Sequence, residues 1–155
     1  MQVLDRVSMV LRQKGNAVIS IRSDASVYSA IELMAEKQVG ALLVMEGDRL
    51  RGVISERDYA RKVILKGRSS KDTLVRDIMT ESPITIGLDA SVDEAMRIMT
   101  TNRIRHLPVL DGEGHVVGVL SIGDLVNWIL LSQHEAIEHL ERYISGGHPA
   151  PVPQN

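Results

Sequence analysis

The chain has neither cysteine nor phenylalanine among its 155 residues. The first absence removes disulfides, thiolate zinc sites, iron–sulfur clusters and cysteine nucleophiles together. The second leaves Tyr28, Tyr59, Trp128 and Tyr143 as the aromatic side chains. The core must therefore be built from Ile, Val, Leu, Met and Ala, and a stacking platform for single-stranded nucleic acid is disfavoured. No uninterrupted apolar run approaches the roughly 20 residues of a membrane span. No basic-plus-apolar leader precedes a small-residue cleavage site, so a cytosolic protein without membrane contact is expected. What is present is ordinary: 44% hydrophobic and 25% charged residues with a net charge of −2, the balance of one or two folded domains rather than a disordered chain.

An internal repeat organises the sequence. Asp24-Ala25-Ser26-Val27 recurs as Asp89-Ala90-Ser91-Val92, and the same offset of 65 pairs Ala30 with Ala95, Met34 with Met99, Leu42 with Leu107 and Val44 with Val109. Beyond Glu46-Gly47 and Asp111-Gly112 the offset becomes 66, pairing Gly52 with Gly118, Ser55 with Ser121 and Asp58 with Asp124. One residue was added in a turn, where insertion is tolerated. In each copy a short strand (18–21 in the first) precedes a helix, whose apolar stripe is Val27, Ala30, Ile31 and Met34, repeated as Val92, Ala95, Met96 and Met99. Two apolar runs around an acidic-glycine turn read as a hairpin, and a second helix closes each copy, over 56–66 and about 122–143. The order is β-α-β-β-α, twice.

The expected organisation is an N-terminal helix over 1–14, with Val3, Leu4, Val7, Val10 and Leu11 on one face, then a first repeat over 15–66 and a linker over 67–80. A second repeat follows over 81–144, and the tail 145–155, with three prolines, reads as disordered. Along the last helix Val126, Leu130, Gln133, Ile137, Leu140 and Ile144 alternate four and three residues apart, the period of a helix-to-helix seam. Packing on the chain's own N-terminal helix and contact with a second copy both satisfy it.

Each closing helix begins with Ser-x-x-Asp, as Ser55-Glu56-Arg57-Asp58 and Ser121-Ile122-Gly123-Asp124. One such motif reads as a capping box. Twice, at equivalent repeat positions, it also suits a ligand: a helix start offers N–H groups to a phosphate, and a carboxylate accepts two hydrogen bonds from a ribose diol. A nucleotide carries both groups.

The stretch Ile104-Arg105-His106-Leu107-Pro108-Val109-Leu110-Asp111, followed by Gly118-Val119-Leu120-Ser121-Ile122-Gly123-Asp124-Leu125-Val126, resembles the cystathionine β-synthase (CBS) domain. Gly40 to Val44 and Val53 to Val63 are similar to the first repeat of small stand-alone bacterial CBS pairs. The resemblance covers about 15 to 144 and implies an α+β fold: two repeats packed sheet to sheet about a pseudo-two-fold axis, with flanking N-terminal and long C-terminal helices. It also implies two clefts for adenosine-containing ligands, AMP foremost, then ADP, ATP or NAD, and last S-adenosylmethionine. One cleft would join Lys14, Ile19, Val39, Gly40 and Ala41 to Ser121, Gly123 and Asp124; the other would join Thr80, Ile84, Ile104, Arg105 and His106 to Ser55, Arg57 and Asp58. Asp58 and Asp124 would hold ribose, and Arg57, Arg105 and His106 phosphate. Gly40 and Ala41 stand where the second copy has Arg105 and His106, so the clefts should differ in affinity or ligand. The loop from Gly67 to Thr73, with Ser69, Ser70, Lys71 and Thr73, has the composition of a phosphate cradle or of a solvated loop.

Other functions find less support. Between Arg49 and Lys71 eight basic residues face two acidic ones, but Arg57, Arg61 and Lys62 fit a phosphate-bearing small ligand, and no nucleic-acid-reading motif accompanies them. In His134-Glu135-Ala136-Ile137-Glu138-His139 the second histidine falls one residue late for a helical metal pair, so Glu138 should lie beside His134. No base–nucleophile pair can be named, so no catalysis is expected. The reading is a homodimeric sensor of adenosyl nucleotides that signals to a separate regulated protein. The alternative is a dimeric scaffold with no physiological nucleotide.

Overall fold

The computed structural model describes residues 5–144. It is an α+β fold of two sheets. In the first, β1 (Ser20–Ile21) runs parallel to β2 (Ala41–Glu46), which pairs antiparallel with β3 (Arg49–Ser55), and β3 with β4 (Thr80–Glu81). In the second, β5 (Ile86–Gly87), β6 (His106–Leu110) and β7 (Val116–Ser121) repeat the first three strands. Both hairpins carry a register shift at the same place, Val44/Met45 and Val109/Leu110, so even the irregularity of the ladder is duplicated.

The helices before the hairpins, α2 (Val27–Lys37) and α5 (Val92–Asn102), are capped alike. Ser26 Oγ accepts from Ser29 N at 3.1 Å and Ser91 Oγ from Glu94 N at 3.0 Å. Both end on a left-handed residue, Gln38 at φ 56° and Arg103 at φ 55°. Their buried faces, Val27, Ala30 and Met34 in α2 and Val92, Ala95 and Met99 in α5, are the stripes expected from the repeat.

The two lead-in segments cross over. α1 (Val7–Lys14) precedes the first repeat but buries Val7, Val10 and Leu11 in the core of the second, with Val92, Met99, Leu107 and Leu120. α4 (Val75–Ile78) precedes the second repeat but packs Val75, Ile78 and Met79 in the core of the first, with Val27, Met34, Leu42 and Ile54. Matching hydrogen bonds fix the exchange. Val7 N donates to Ala90 O at 2.8 Å and Val92 N to Asp5 O at 2.7 Å, while Val75 N donates to Ala25 O and Val27 N to Thr73 O, each at 2.8 Å. The span 67–80, expected to be a linker, is thus in part core. A four-residue helix is not stable alone, but burying a Val or Ile side chain contributes roughly 1.5–3 kcal/mol, which sets Val75 and Ile78 in place.

After β3 the chain enters α3 (Glu56–Tyr59), which widens into a π-helical turn over Ala60–Ile64. The helix expected over 56–66 is therefore shorter and irregular. Its counterpart α6 (Ile122–Ile144) is regular for 23 residues. Trp128 Nε1 donates to Asp5 Oδ2 at 2.9 Å, and α6 packs on α1 through this face. The seam residues Val126, Leu130, Ile137, Leu140 and Ile144 lie on another face and are exposed. Val3, Leu4 and the tail 145–155 fall outside the described residues.

The lead-ins press on two glycines. A Cβ at Gly52 would stand 2.6 Å from Thr80 O and 3.0 Å from Met79 Sδ; one at Gly118 would stand 2.9 Å from the Leu11 methyls. Backbone cannot yield as a side chain can. Gly52→Ala should destabilise by about 1–3 kcal/mol and Gly118→Ala by less, read from urea midpoints at constant m-value. An equal loss at both positions would show that the closeness of Thr80 to β3 is not what requires glycine.

Candidate functional site

Both Ser-x-x-Asp motifs form the capping box. Ser55 N donates to Asp58 Oδ2 at 2.9 Å and Asp58 N to Ser55 Oγ at 3.2 Å. Ser121 N donates to Asp124 Oδ2 at 2.8 Å and Asp124 N to Ser121 Oγ at 3.1 Å. The helix starts are pinned to the loops before the hairpins, Glu56 N to Gly40 O at 3.0 Å and Ile122 N to Arg105 O at 2.8 Å. Capping engages Oδ2 of each aspartate, and a carboxylate oxygen can accept more than one hydrogen bond, so a cap and a further contact are compatible at one carboxylate.

Around Asp58 the repeats enclose a cleft of about 550 Å³, within the usual size of small-molecule sites. Ser55, Glu56, Arg57, Asp58, Arg61 and Lys62 come from the first closing helix and Arg103, Ile104, Arg105 and His106 from the turn into β6. Thr80, Ser82, Pro83 and Ile84 come from the segment between the repeats, with Val53 and Gly40 completing the wall. The cleft thus unites Thr80, Ile84, Ile104, Arg105 and His106 with Ser55, Arg57 and Asp58. Val53, Pro83, Ile84 and Ile104 give it apolar surface. Its charges are Arg57, Arg61, Lys62, Arg103 and Arg105 against Glu56 and Asp58. Lys62 Nζ reaches Asp58 Oδ1 at 3.0 Å and Ile78 O at 2.8 Å. Arg57 Nη1 donates to Arg103 O at 3.0 Å, tying the two repeats across the cleft.

The other expected grouping comes together only in part. Lys14 Nζ meets Asp124 Oδ2 at 2.5 Å and Val119 O at 2.7 Å, so the lysine at the end of α1 already engages the second aspartate. Ile19 and Val39 pack against the first core instead. Ala41 opens β2 opposite Ser55, and Gly123 is exposed near the Ser121 hydroxyl. Gly40 borders the Asp58 cleft, where a Cβ would lie 3.7 Å from the His106 imidazole. The cradle reading of the loop finds no support in the geometry, because Ser69, Ser70, Lys71 and Thr73 are not among the residues around the cleft and Ser70, Lys71 and Thr73 meet α2 instead. Thr73 is buried with Oγ1 donating to Ser69 O at 2.7 Å, Ser70 O accepts from Tyr28 N at 2.9 Å, and Lys71 Nζ sits 4.9 Å over the Tyr28 ring. A buried helix start needs its amides satisfied, and this loop supplies carbonyls to Val27 and Tyr28.

Sequence reasoning did not place Glu56, Arg103, Ser82 or Pro83 in the cleft. Arg103 carried a signal, being the left-handed C-cap aligned with Gln38, but a cation at a helix end reads first as a dipole partner. Among the described residues no cluster of His, Asp and Glu could hold a metal ion, and His134 Nε2 pairs with Glu138 Oε1 at 3.0 Å as the helical spacing requires.

Comparison with known proteins matches the CBS domain family model to residues 15–64 and 75–131. The chain belongs to the CBS domain family, as a tandem pair. It is 42% identical over 151 residues to a mitochondrial CBS domain-containing protein of Arabidopsis thaliana, covering 92% of this chain and 73% of the plant protein. A Burkholderia ambifaria CBS-domain structure, named for signal transduction, superposes with a TM-score of 0.79 at 46% identity over 83% of this chain and 96% of that one. A Pyrobaculum aerophilum CBS domain protein in complex with AMP superposes with a TM-score of 0.69 at 30% identity, over 77% of this chain and 88% of that one.

The His106 imidazole is held below its ordinary value of 6.5, first by burial; Asp124 opposes the shift, and Lys14, Arg105 and Arg57 add to it. It is neutral at pH 7. The unfolded chain takes up this proton at the ordinary value and the folded one only lower. The contribution to stability is therefore complete above about pH 6.5 and is lost as pH falls through the interval beneath it. Lys14→Met should raise the His106 titration midpoint and Asp124→Asn lower it, followed by NMR of the ring protons. An unmoved midpoint in Lys14→Met would place the lysine charge elsewhere in solution.

Proposed function

We propose that this chain is a regulatory module that binds an adenosyl nucleotide in the Asp58 cleft and passes its occupancy to a separate protein. The observation that carries the reading is the composition of that one cleft. A carboxylate for a diol, apolar side chains for a base and a cationic rim for phosphate surround a volume of about 550 Å³. The AMP complex of the Pyrobaculum relative supports the ligand class. The reading is of binding without turnover, since Ser55 Oγ donates to the capping Asp58 and, among the described residues, no histidine is hydrogen-bonded to it. Binding shifts shape through different affinities for two states, and the elements bordering the cleft from both repeats are the parts that sense it.

A thermal-shift panel of AMP, ADP, ATP, NAD and S-adenosylmethionine with GMP as control tests the reading. Ligand at 100 times its dissociation constant adds about 2.7 kcal/mol, hence roughly 5 to 10 °C at this size. Asp58→Ala should lose that rise while its unliganded midpoint drops only by the few degrees that a cap worth about 1 kcal/mol commands. A variant that melts early yet keeps the full rise would assign Asp58 to capping alone.

The exposed seam of α6 supports a second element, self-association. Leu130, Ile137, Leu140 and Ile144 are 59%, 53%, 57% and 79% exposed on one helix, and such a stripe is covered in stable assemblies. Sedimentation of the native chain should show a dimer and of Leu140→Asp a monomer with unchanged circular dichroism. A native chain that sediments as a monomer at high micromolar concentration would remove the dimer.

A further inference from the structure

The cationic rim of the Asp58 cleft says more than that it takes a phosphate. Arg57, Arg61, Arg103 and Arg105 border one cavity, and among the described residues none of the four has a carboxylate partner within ion-pair distance. Of the carboxylates present, Asp58 is held by Lys62, leaving Glu56 against four guanidinium groups. Unpaired arginines scattered over a surface are simply hydrated; several converging on a concavity repel one another and raise a focused positive potential. A monophosphate brings about two negative charges, too few to balance the rim, whereas each added phosphate extends the anion toward further forks. The guanidinium fork suits paired phosphate oxygens.

The repeat supplies an internal control. By the offsets of 65 and 66, Arg57, Arg61, Arg103 and Arg105 align with Gly123, Asn127, Gln38 and Gly40. None of the four aligned positions carries a cation, and Lys14, which reaches Asp124, is spent on that carboxylate itself. The capping boxes, the hairpins and the buried stripes of α2 and α5 are duplicated between the copies, and this cationic set is not. Its concentration on one side is therefore a property of the site rather than of the fold.

We infer that the Asp58 cleft is a nucleoside polyphosphate site, and that the chain carries one such site rather than two. The inference rests on the adenosyl-nucleotide reading for the base and ribose, and on the arginines for the phosphate chain. A sulfonium ligand such as S-adenosylmethionine is disfavoured by the same charges.

Isothermal titration of the full chain with ATP, ADP, AMP, S-adenosylmethionine, GTP and inorganic tripolyphosphate tests it, alongside the double variant Arg61→Asn, Arg103→Gln. Those replacements are the residues the other repeat carries at the aligned positions, and an unliganded melting midpoint close to that of the native chain checks that the variant folds. One ATP per chain is expected, bound at least about tenfold tighter than AMP. In the double variant ATP should weaken by at least about tenfold and AMP by no more than about threefold. Equal affinity for AMP and ATP, two equivalent ATP sites, or equal weakening of both ligands in the variant would overturn the inference while leaving the adenosyl reading intact. GTP and tripolyphosphate binding as tightly as ATP would retain the polyphosphate site and overturn the adenosyl reading. No binding by any of the six would overturn both.

Discussion

Everything in this molecule hangs on the exchange of lead-in segments between the repeats. Each sheet-and-helix unit is open on one side, and the piece that closes it is supplied by sequence belonging to the other unit's approach. Val7, Val10 and Leu11 complete the core around Leu107 and Leu120, while Val75, Ile78 and Met79 complete the one around Leu42 and Ile54. Burial of those apolar side chains is the main favourable term available to a chain so poor in aromatics. Neither core is whole without the other's leader, so the two repeats are expected to fold as one cooperative unit.

The cleft is a by-product of that exchange. The lead-in to the second repeat runs along β3 as β4 and then continues past Ser82 and Pro83, which brings Thr80 and Ile84 beside the first closing helix. Arg103 to His106 arrive there because α5 ends on a left-handed residue that turns the chain into β6. Residues far apart in sequence meet in one pocket because a crossed connection carries them there. The duplicated Ser-x-x-Asp motif then provides two similar carboxylates in dissimilar surroundings, one facing arginines and Lys62, the other engaged by Lys14.

Much of this was legible in the sequence. The repeat, the capped helices, the hairpins and the long last helix follow from apolar period and turn residues, because those features are local and were written twice. The grouping of Thr80, Ile84, Arg105 and His106 with Ser55 and Asp58 came from family resemblance, and the structure brings these residues together. What was hidden is of another kind. The crossing of Val75 and Ile78 into the first core leaves no local mark, since a short apolar run in a polar stretch reads as a linker. Thr73 turned inward because helix α2 needed carbonyl partners, which its polar composition does not announce. Lys14 holds Asp124 directly, a pairing that depends on where α1 ends across the second sheet. Arg103 joined the cleft through a backbone turn, which residue type alone does not reveal.

Lys62 occupies a singular position, with its ammonium shared between the Asp58 carboxylate in the cleft and the Ile78 carbonyl at the end of the exchanged helix. Its counterpart in the second repeat is Trp128, which instead reaches Asp5. A single amine therefore serves as both a wall of the pocket and a fastener of the core. Any change at position 62 therefore meets two unrelated demands at once: a substitution that retunes the pocket also loosens the hold on the exchanged helix.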